Sequence, residues 1–172
     1  MTTSELSPQE HDPYYGRYLA KLPTSLDLIE GFEKGRDTVE TFFQSIPEDK
    51  LLHRYQEDKW TIKEVLQHLI DTERIFMYRC FRIARRDTTS LAGFNQEIYM
   101  EPSGANGKSR EQLLSEYVAG RAQSLAILRS LTAADLAFIG VANQGAMSAR
   151  AAAFTIIGHD VWHMEIINER YL

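Results

Sequence analysis

Five histidines stand in this 172-residue sequence, and three of them are placed as metal ligands would be. His159 and His163 are i and i+4, which on a helix sets their rings one above the other on one face. That face is apolar, since Ala152, Ala153, Ile156, Ile166 and Ile167 share it. A neutral imidazole in a core needs partners for two ring nitrogens, and burying it charged is costly. A shared cation is the easiest common partner for two such rings. His68 lies beside the apolar stripe of an earlier segment, one turn from Val65 and Thr72. If the two segments are neighbours, it completes a facial set of three nitrogens, each about 2.0–2.1 Å from a zinc-sized ion. Three protein nitrogens leave coordination positions open, the arrangement of a catalytic rather than a structural site. Buried helix histidines also bond to backbone or carboxylates without any metal, so spacing alone leaves both readings open. His11 and His53 fall in polar stretches and read as solvated loop imidazoles.

Two other motifs fail on inspection. His159-Asp160-Val161-Trp162-His163 has the outline of the metalloprotease HExxH, but Asp160 stands where the general base must be a glutamate. Gly104-Ala105-Asn106-Gly107-Lys108-Ser109 has the end of a phosphate loop, yet Pro102 occupies the first glycine position and no strand precedes it. Arg74, Arg79, Arg82, Arg85 and Arg86 crowd the end of the His68 segment. They either complement the helix dipole and pair with acids, or form an anion-binding rim around a metal pocket. Asp71, Glu73 and Glu165 are candidates to orient the imidazoles through hydrogen bonds, or are ordinary ion-pair carboxylates.

Four amphipathic helices are needed to position these groups, and no segment shows sustained strand alternation. The first runs from about Ser25 to Ile46, where Pro47 ends it. Gly31 and Gly35 weaken it by about 1 kcal/mol each relative to alanine, which points to a close helix–helix contact. The second spans about Thr61 to Arg86, and Thr61 with Glu64 forms a capping box. The third starts near Ser109, with Leu113, Leu114, Tyr117, Leu125 and Leu128 on its stripe, and the fourth spans about Ser148 to Arg170. The link from Asp87 to Lys108, about 22 residues, reaches ~70 Å extended. It exceeds the ~33 Å of a 22-residue helix, so the second and third helices can run parallel. An up-down-down-up order is thereby allowed. Residues 1–23, with Tyr14, Tyr15, Tyr18 and three prolines, read as a polar tail lying across a 24–172 body.

Composition narrows the function classes. Apolar residues make up 44% and charged residues 25%, ordinary for a globular chain of one domain. The net charge of −5 and pI near 5.6 argue against a duplex-DNA partner, which meets a basic face. No apolar run is long enough for a membrane span. Cys80 is the one cysteine, so no intrachain disulfide forms, and with no secretory signal in the first residues the cytoplasm is the expected compartment.

Two segments carry a resemblance. Lys59-Trp60-Thr61 followed by Glu64-Val65-Leu66-Gln67-His68-Leu69 and Asp71-Thr72-Glu73-Arg74 resembles the DinB/YfiT-like superfamily, and Gly158-His159 through His163 resembles its closing G-H-x-x-x-H helix. The likeness extends from Pro23 onward and takes in Phe94-Asn95-Gln96-Glu97 and Glu169-Arg170-Tyr171-Leu172. The resemblance implies an all-α four-helix bundle, up-down-down-up, with long crossover loops. It also implies one divalent ion, nickel or zinc, on His68, His159 and His163, and a homodimer formed by helix packing. Its members include metal-dependent hydrolases and thiol S-transferases, in which the metal activates a low-molecular-weight thiol such as bacillithiol. The expected function is therefore a metal-dependent enzyme activating a thiol or water on a small-molecule substrate, without nucleic acid or membrane as partner. Thiol transfer is placed slightly ahead, because the resemblance supplies a thiol nucleophile and the sequence supplies no obvious hydrolytic general base next to the histidines. The alternatives are a metal-dependent hydrolase and a non-catalytic, stress-related binding protein.

Overall fold

The computed structural model describes residues 1–172 and shows four long helices packed as a bundle. In chain order the elements are α1 (Gly16–Leu19), α2 (Leu28–Ser45), α3 (Ile62–Ala84), α4 (Glu97–Ser103), α5 (Arg110–Arg129), α6 (Ala133–Leu136), β1 (Ile139–Ala142), β2 (Gly145–Ser148) and α7 (Ala149–Arg170). The helix starts follow their caps. Thr61, Ser109 and Ser148 each accept a backbone N–H from the first turn, and Glu64 and Gln112 close capping boxes on the first two. Asp27 accepts from Ile29 and Glu30 and starts α2.

Side-chain pairings fix the order of the four helices. Thr61 meets Asn106, Gln67 meets Lys108, and Glu73 meets Arg121, so α3 and α5 run parallel. Arg110 reaches the carbonyls at the end of α2 and Arg121 the carbonyl of Phe32, so α2 and α5 are antiparallel. Tyr171 donates to the carbonyl of Trp60 while His159 meets His68, so α3 and α7 are antiparallel as well. The result is an up-down-down-up bundle, made possible by the long return between Ala84 and Arg110. That return is not all loop: α4 occupies its middle, and Gly104, at φ 62°, ends α4 in the left-handed region that glycine adopts freely. No helix is long and apolar enough to cross a membrane.

A short antiparallel hairpin departs from the all-helical expectation. β1 and β2 pair from Ile139↔Ser148 to Ala142↔Gly145 through Asn143 and Gln144, both with positive φ, the geometry of a tight two-residue hairpin turn. At four residues each, the strands are too short for alternation to show in sequence. Leu91 from the return segment and His11 from the N-terminal segment bridge to this hairpin, which ties three distant stretches together.

Two apolar clusters fill the bundle. One, around Val39, Phe43, Ile62, Leu66, Leu113 and Ile167, lies toward the Thr61 end of α3. The other, around Phe32, Phe76, Cys80, Ile83, Phe154 and Ile156, lies toward the hairpin. The N-terminal segment belongs to this second cluster, since Tyr15, Tyr18, Leu19 and Leu22 are buried in it. The buried Glu10 forms an ion pair with the partly buried Arg150, 2.6 Å apart, and pins the same segment to α7. Gly31 makes the expected close contact: a Cβ there would lie 2.8 Å from Ile157 of α7.

Candidate metal centre

His68 on α3 and His159 and His163 on α7 converge between the two apolar clusters. The Nε2 atom of His159 lies 3.0 Å from that of His68 and 3.0 Å from that of His163. His68 is 3% and His159 5% exposed, while His163 is half-buried. Their positions follow from the helix periods: the i, i+4 pair stacks on the inner face of α7, and the antiparallel α3 brings His68 opposite.

The protonation states suit ligation. Burial holds His68 and His159 well below the usual imidazole range, with neighbouring histidine charge adding to it, and burial alone pushes His163 down to about 4. All three rings are therefore neutral at pH 7, the form in which imidazole binds a metal. A neutral ring carries a single N–H, so three converging Nε2 atoms cannot all satisfy one another as donors and acceptors. A cation at their centre satisfies all three at once. Nitrogens held tetrahedrally at about 2.0–2.1 Å from zinc lie about 3.3 Å apart, close to the two 3.0 Å separations from His159, and all three ligand nitrogens lie within 4.8 Å of one another. The donor set thus fits one divalent ion.

Aromatic groups enclose the cluster. Trp60 packs on His68 with ring centres 4.7 Å apart, and Tyr18 meets His159 edge-on at 5.2 Å. Nδ1 of His68 lies 3.4 Å from the Thr72 hydroxyl, a group able to accept a hydrogen bond from a proton held on Nδ1 and so leave Nε2 free to coordinate. Gly158, directly before His159, is required by this enclosure: a Cβ there would stand 2.2 Å from the backbone oxygen of Tyr18.

The other sequence candidates are placed elsewhere. His11 and His53 lie apart from the cluster, His11 against the backbone of Asp12 and His53 exposed beside Tyr171. None of the three carboxylates considered as orienting groups touches an imidazole. Asp71 pairs with Arg74, Glu165 with Lys21, and Glu73 with Arg121. Asp160 also turns away from the histidines; its carboxylate accepts from Tyr117 at 2.9 Å and from Arg121 at 2.7 Å. Burial, and behind it the charge of Glu73, pushes Asp160 up to about 6 against the pull of Arg121. The absence of a base beside His159 agrees with the rejection of the metalloprotease motif.

The arginine cluster divides. Arg74, Arg82 and Arg86 pair with Glu116, Asp87 and Asp135, as helix-surface arginines do. Arg79 instead points inward and is 1% exposed. It lines a cavity of about 140 Å³ together with Tyr15, Tyr18, Phe76, Asn143 and His159. The sequence marked Arg79 only as one of five and gave no sign of Asn143, which the hairpin turn delivers.

A helical bundle with parallel second and third long helices and an inward-facing histidine trio defines the class: a DinB-type bundle. The chain belongs to the DinB superfamily, whose model matches residues 31–167. Among solved structures it is similar to YfiT from Bacillus subtilis, described as a probable metal-dependent hydrolase with an unusual four-helix bundle topology. That match has a TM-score of 0.74 at 16% identity and covers 87% of this chain and 90% of that one. No curated protein matches the sequence.

Proposed function

We propose that this protein is a metal-dependent enzyme whose single divalent ion, nickel or zinc, is held by His68, His159 and His163. The observation that carries the reading is the convergence of three neutral imidazoles, two buried and one half-buried, on one point. With open coordination positions such an ion lowers the pKa of a coordinated water toward about 7 or deprotonates a coordinated thiol outright. Around it, Trp60 and Tyr18 exclude bulk water from the ligand rings, and Thr72 holds the ring of His68. The description of YfiT supports hydrolysis as the first reading. Thiol transfer is the second, and one observation favours it: Asp71, Glu73, Asp160 and Glu165 are all engaged elsewhere, leaving no carboxylate to serve a hydrolytic proton transfer.

Metal analysis of protein purified without a histidine tag tests the centre. We expect one ion per chain and its loss in each of His68→Ala, His159→Ala and His163→Ala, with unchanged content in His11→Ala and His53→Ala. Full metal retention by two of the three ligand variants would overturn the assignment. Cobalt substitution then separates the two chemistries. A thiolate ligand adds a charge-transfer band that nitrogens and water lack, and its binding strengthens as pH rises toward the thiol pKa of about 8.5. If bacillithiol, glutathione and cysteine all leave the cobalt spectrum unchanged, the thiol reading falls and hydrolysis stands.

A further inference from the structure

One buried side-chain polar atom in the whole protein has no hydrogen-bond partner, and it is Nε of Arg79. The rest of that guanidinium is thinly satisfied: one terminal nitrogen donates to the carbonyl of Ala92 at 3.0 Å, and the other has only a 3.5 Å contact with the Tyr15 hydroxyl. Its remaining close neighbours are the rings of Phe76 and Phe94, 4.9 Å and 5.5 Å from the guanidinium carbon. No carboxylate pairs with it. Arginine stays charged under all ordinary conditions, so a full positive charge lies buried without a counter-ion. Such a charge is strongly unfavourable unless something compensates it, and the molecule shows how compensation looks elsewhere, at Arg121. Arg79 also lines the cavity that reaches His159, and no acidic residue lines that cavity.

We propose that this cavity binds a small organic monocarboxylate, with its carboxylate on Arg79 and its other end directed toward His159. The inference deepens the metal-enzyme reading and rests on it for the role of the far end, although the Arg79 contact itself needs no metal. Charge sets the class. One guanidinium and no second cation line the cavity, which balances one negative charge rather than the two of a phosphate monoester. Walls set the body of the ligand. Tyr14, Tyr15, Tyr18, Phe76 and Phe94 offer aromatic faces to an apolar or planar group, while Thr72, Gln96 and Asn143 offer neutral hydrogen bonds along its length. The cavity's modest volume excludes a nucleotide or a peptide.

The test uses benzoate as the probe, its neutral isostere benzamide as the control, and inorganic phosphate as the competing anion. Binding is followed by calorimetry on metal-free and on metal-loaded protein. In the metal-free protein we expect benzoate to bind at least about tenfold more tightly than benzamide and phosphate, the preference a charge-assisted bond to a buried guanidinium confers. Arg79→Met should lose that preference. It should also melt no lower than the wild type, because it removes an uncompensated charge. Equal affinity for benzoate and benzamide, or no binding of benzoate to either form, would overturn the proposal, as would tighter binding of phosphate. If Arg79→Met fails to fold, the guanidinium is structural and the proposal is likewise overturned unless wild-type protein still discriminates benzoate from benzamide. The metal reading fails separately, by absence of stoichiometric metal, and leaves the metal-free comparison intact.

Discussion

Helix α7 presents buried polar groups on two sides, and the two sides are finished differently. On one side Asp160 joins Glu73, Tyr117, Ser124 and Arg121 in a closed network. Arg121, 0% exposed, donates to Glu73 and Asp160, and Ser124 donates to Glu73 at 2.6 Å. On the other side the preceding residue in sequence, His159, meets His68 and His163 with nitrogen facing nitrogen, and Arg79 lies beyond with Nε unpaired. The closed network needs nothing from outside and holds α3, α5 and α7 in register. The open side keeps unsatisfied nitrogens where an ion and an anion can complete them. Buried polar groups that are complete serve the fold, and incomplete ones mark where something binds.

Breaking the closed side should have the largest effect. Arg121→Met leaves two buried carboxylates without a cation and should cost about 3–5 kcal/mol, measured by denaturant unfolding. Replacing Arg121, Glu73 and Asp160 together by Met, Leu and Leu should cost far less, because no orphaned charge remains. A triple variant as unstable as the single one would show that the network contributes more than charge balance.

Chelation probes the open side and should come second. Metal at 100 to 1,000 times its dissociation constant stabilises by about 2.7–4.1 kcal/mol, and that is the most chelation can remove. The two apolar clusters persist without metal, so helical circular dichroism should survive at room temperature, unlike that of a zinc finger. A random-coil spectrum in chelator would place the core's stability in the metal instead.

The Glu10–Arg150 pair gives a smaller, pH-dependent term. Burial raises Glu10, but the Arg150 guanidinium, the Ser148 hydroxyl and the Ser7 backbone outweigh it and hold its carboxyl below the usual range. A carboxyl with a lowered folded-state pKa stabilises fully above its unfolded value near 4.5 and loses that contribution as pH falls through the lowered value. Acid titration should therefore release the N-terminal segment, and with it Tyr18, before the helices melt. Tyrosine fluorescence and proteolysis of the first residues would follow it, and Glu10→Gln should flatten the acid limb.

The smallest effect is expected from His159→Ala in metal-free protein. It opens a cavity but also removes an imidazole that lacks matched partners, so the net change should stay within about 1 kcal/mol. A loss as large as that of Arg121→Met would mean that the histidines are a structural cluster.

Much of this contrast was legible in the sequence on one side only. The spacing of His159 and His163, the cap at Thr61 and the long return before Ser109 are local signals, and each corresponds to a helix face, a helix start or a parallel pair in the structure. The partners of Glu73 and Asp160 were not legible, because a carboxylate near a histidine in sequence can face either way around the helix. Arg79 could not be separated from Arg82 by composition, since only the packing of Phe94 and Tyr15 shows which of them turns inward. The hairpin escaped because its strands are four residues long and its turn, Asn143-Gln144, has the glycine one place late.

The return segment between α3 and α5 has a consequence for how the chain reaches this state. By keeping α3 away from its immediate successor in direction, it makes the histidine cluster depend on residues 91 positions apart. Helical bundles built from adjacent hairpins fold quickly because their contacts are local, and rates fall as the mean separation of contacts rises. Here the hairpin, the N-terminal segment and α7 must all converge on α3 across long closures. Folding should accordingly be slower than for an up-and-down bundle of equal length, with helices forming early and the three imidazoles meeting only in the final step.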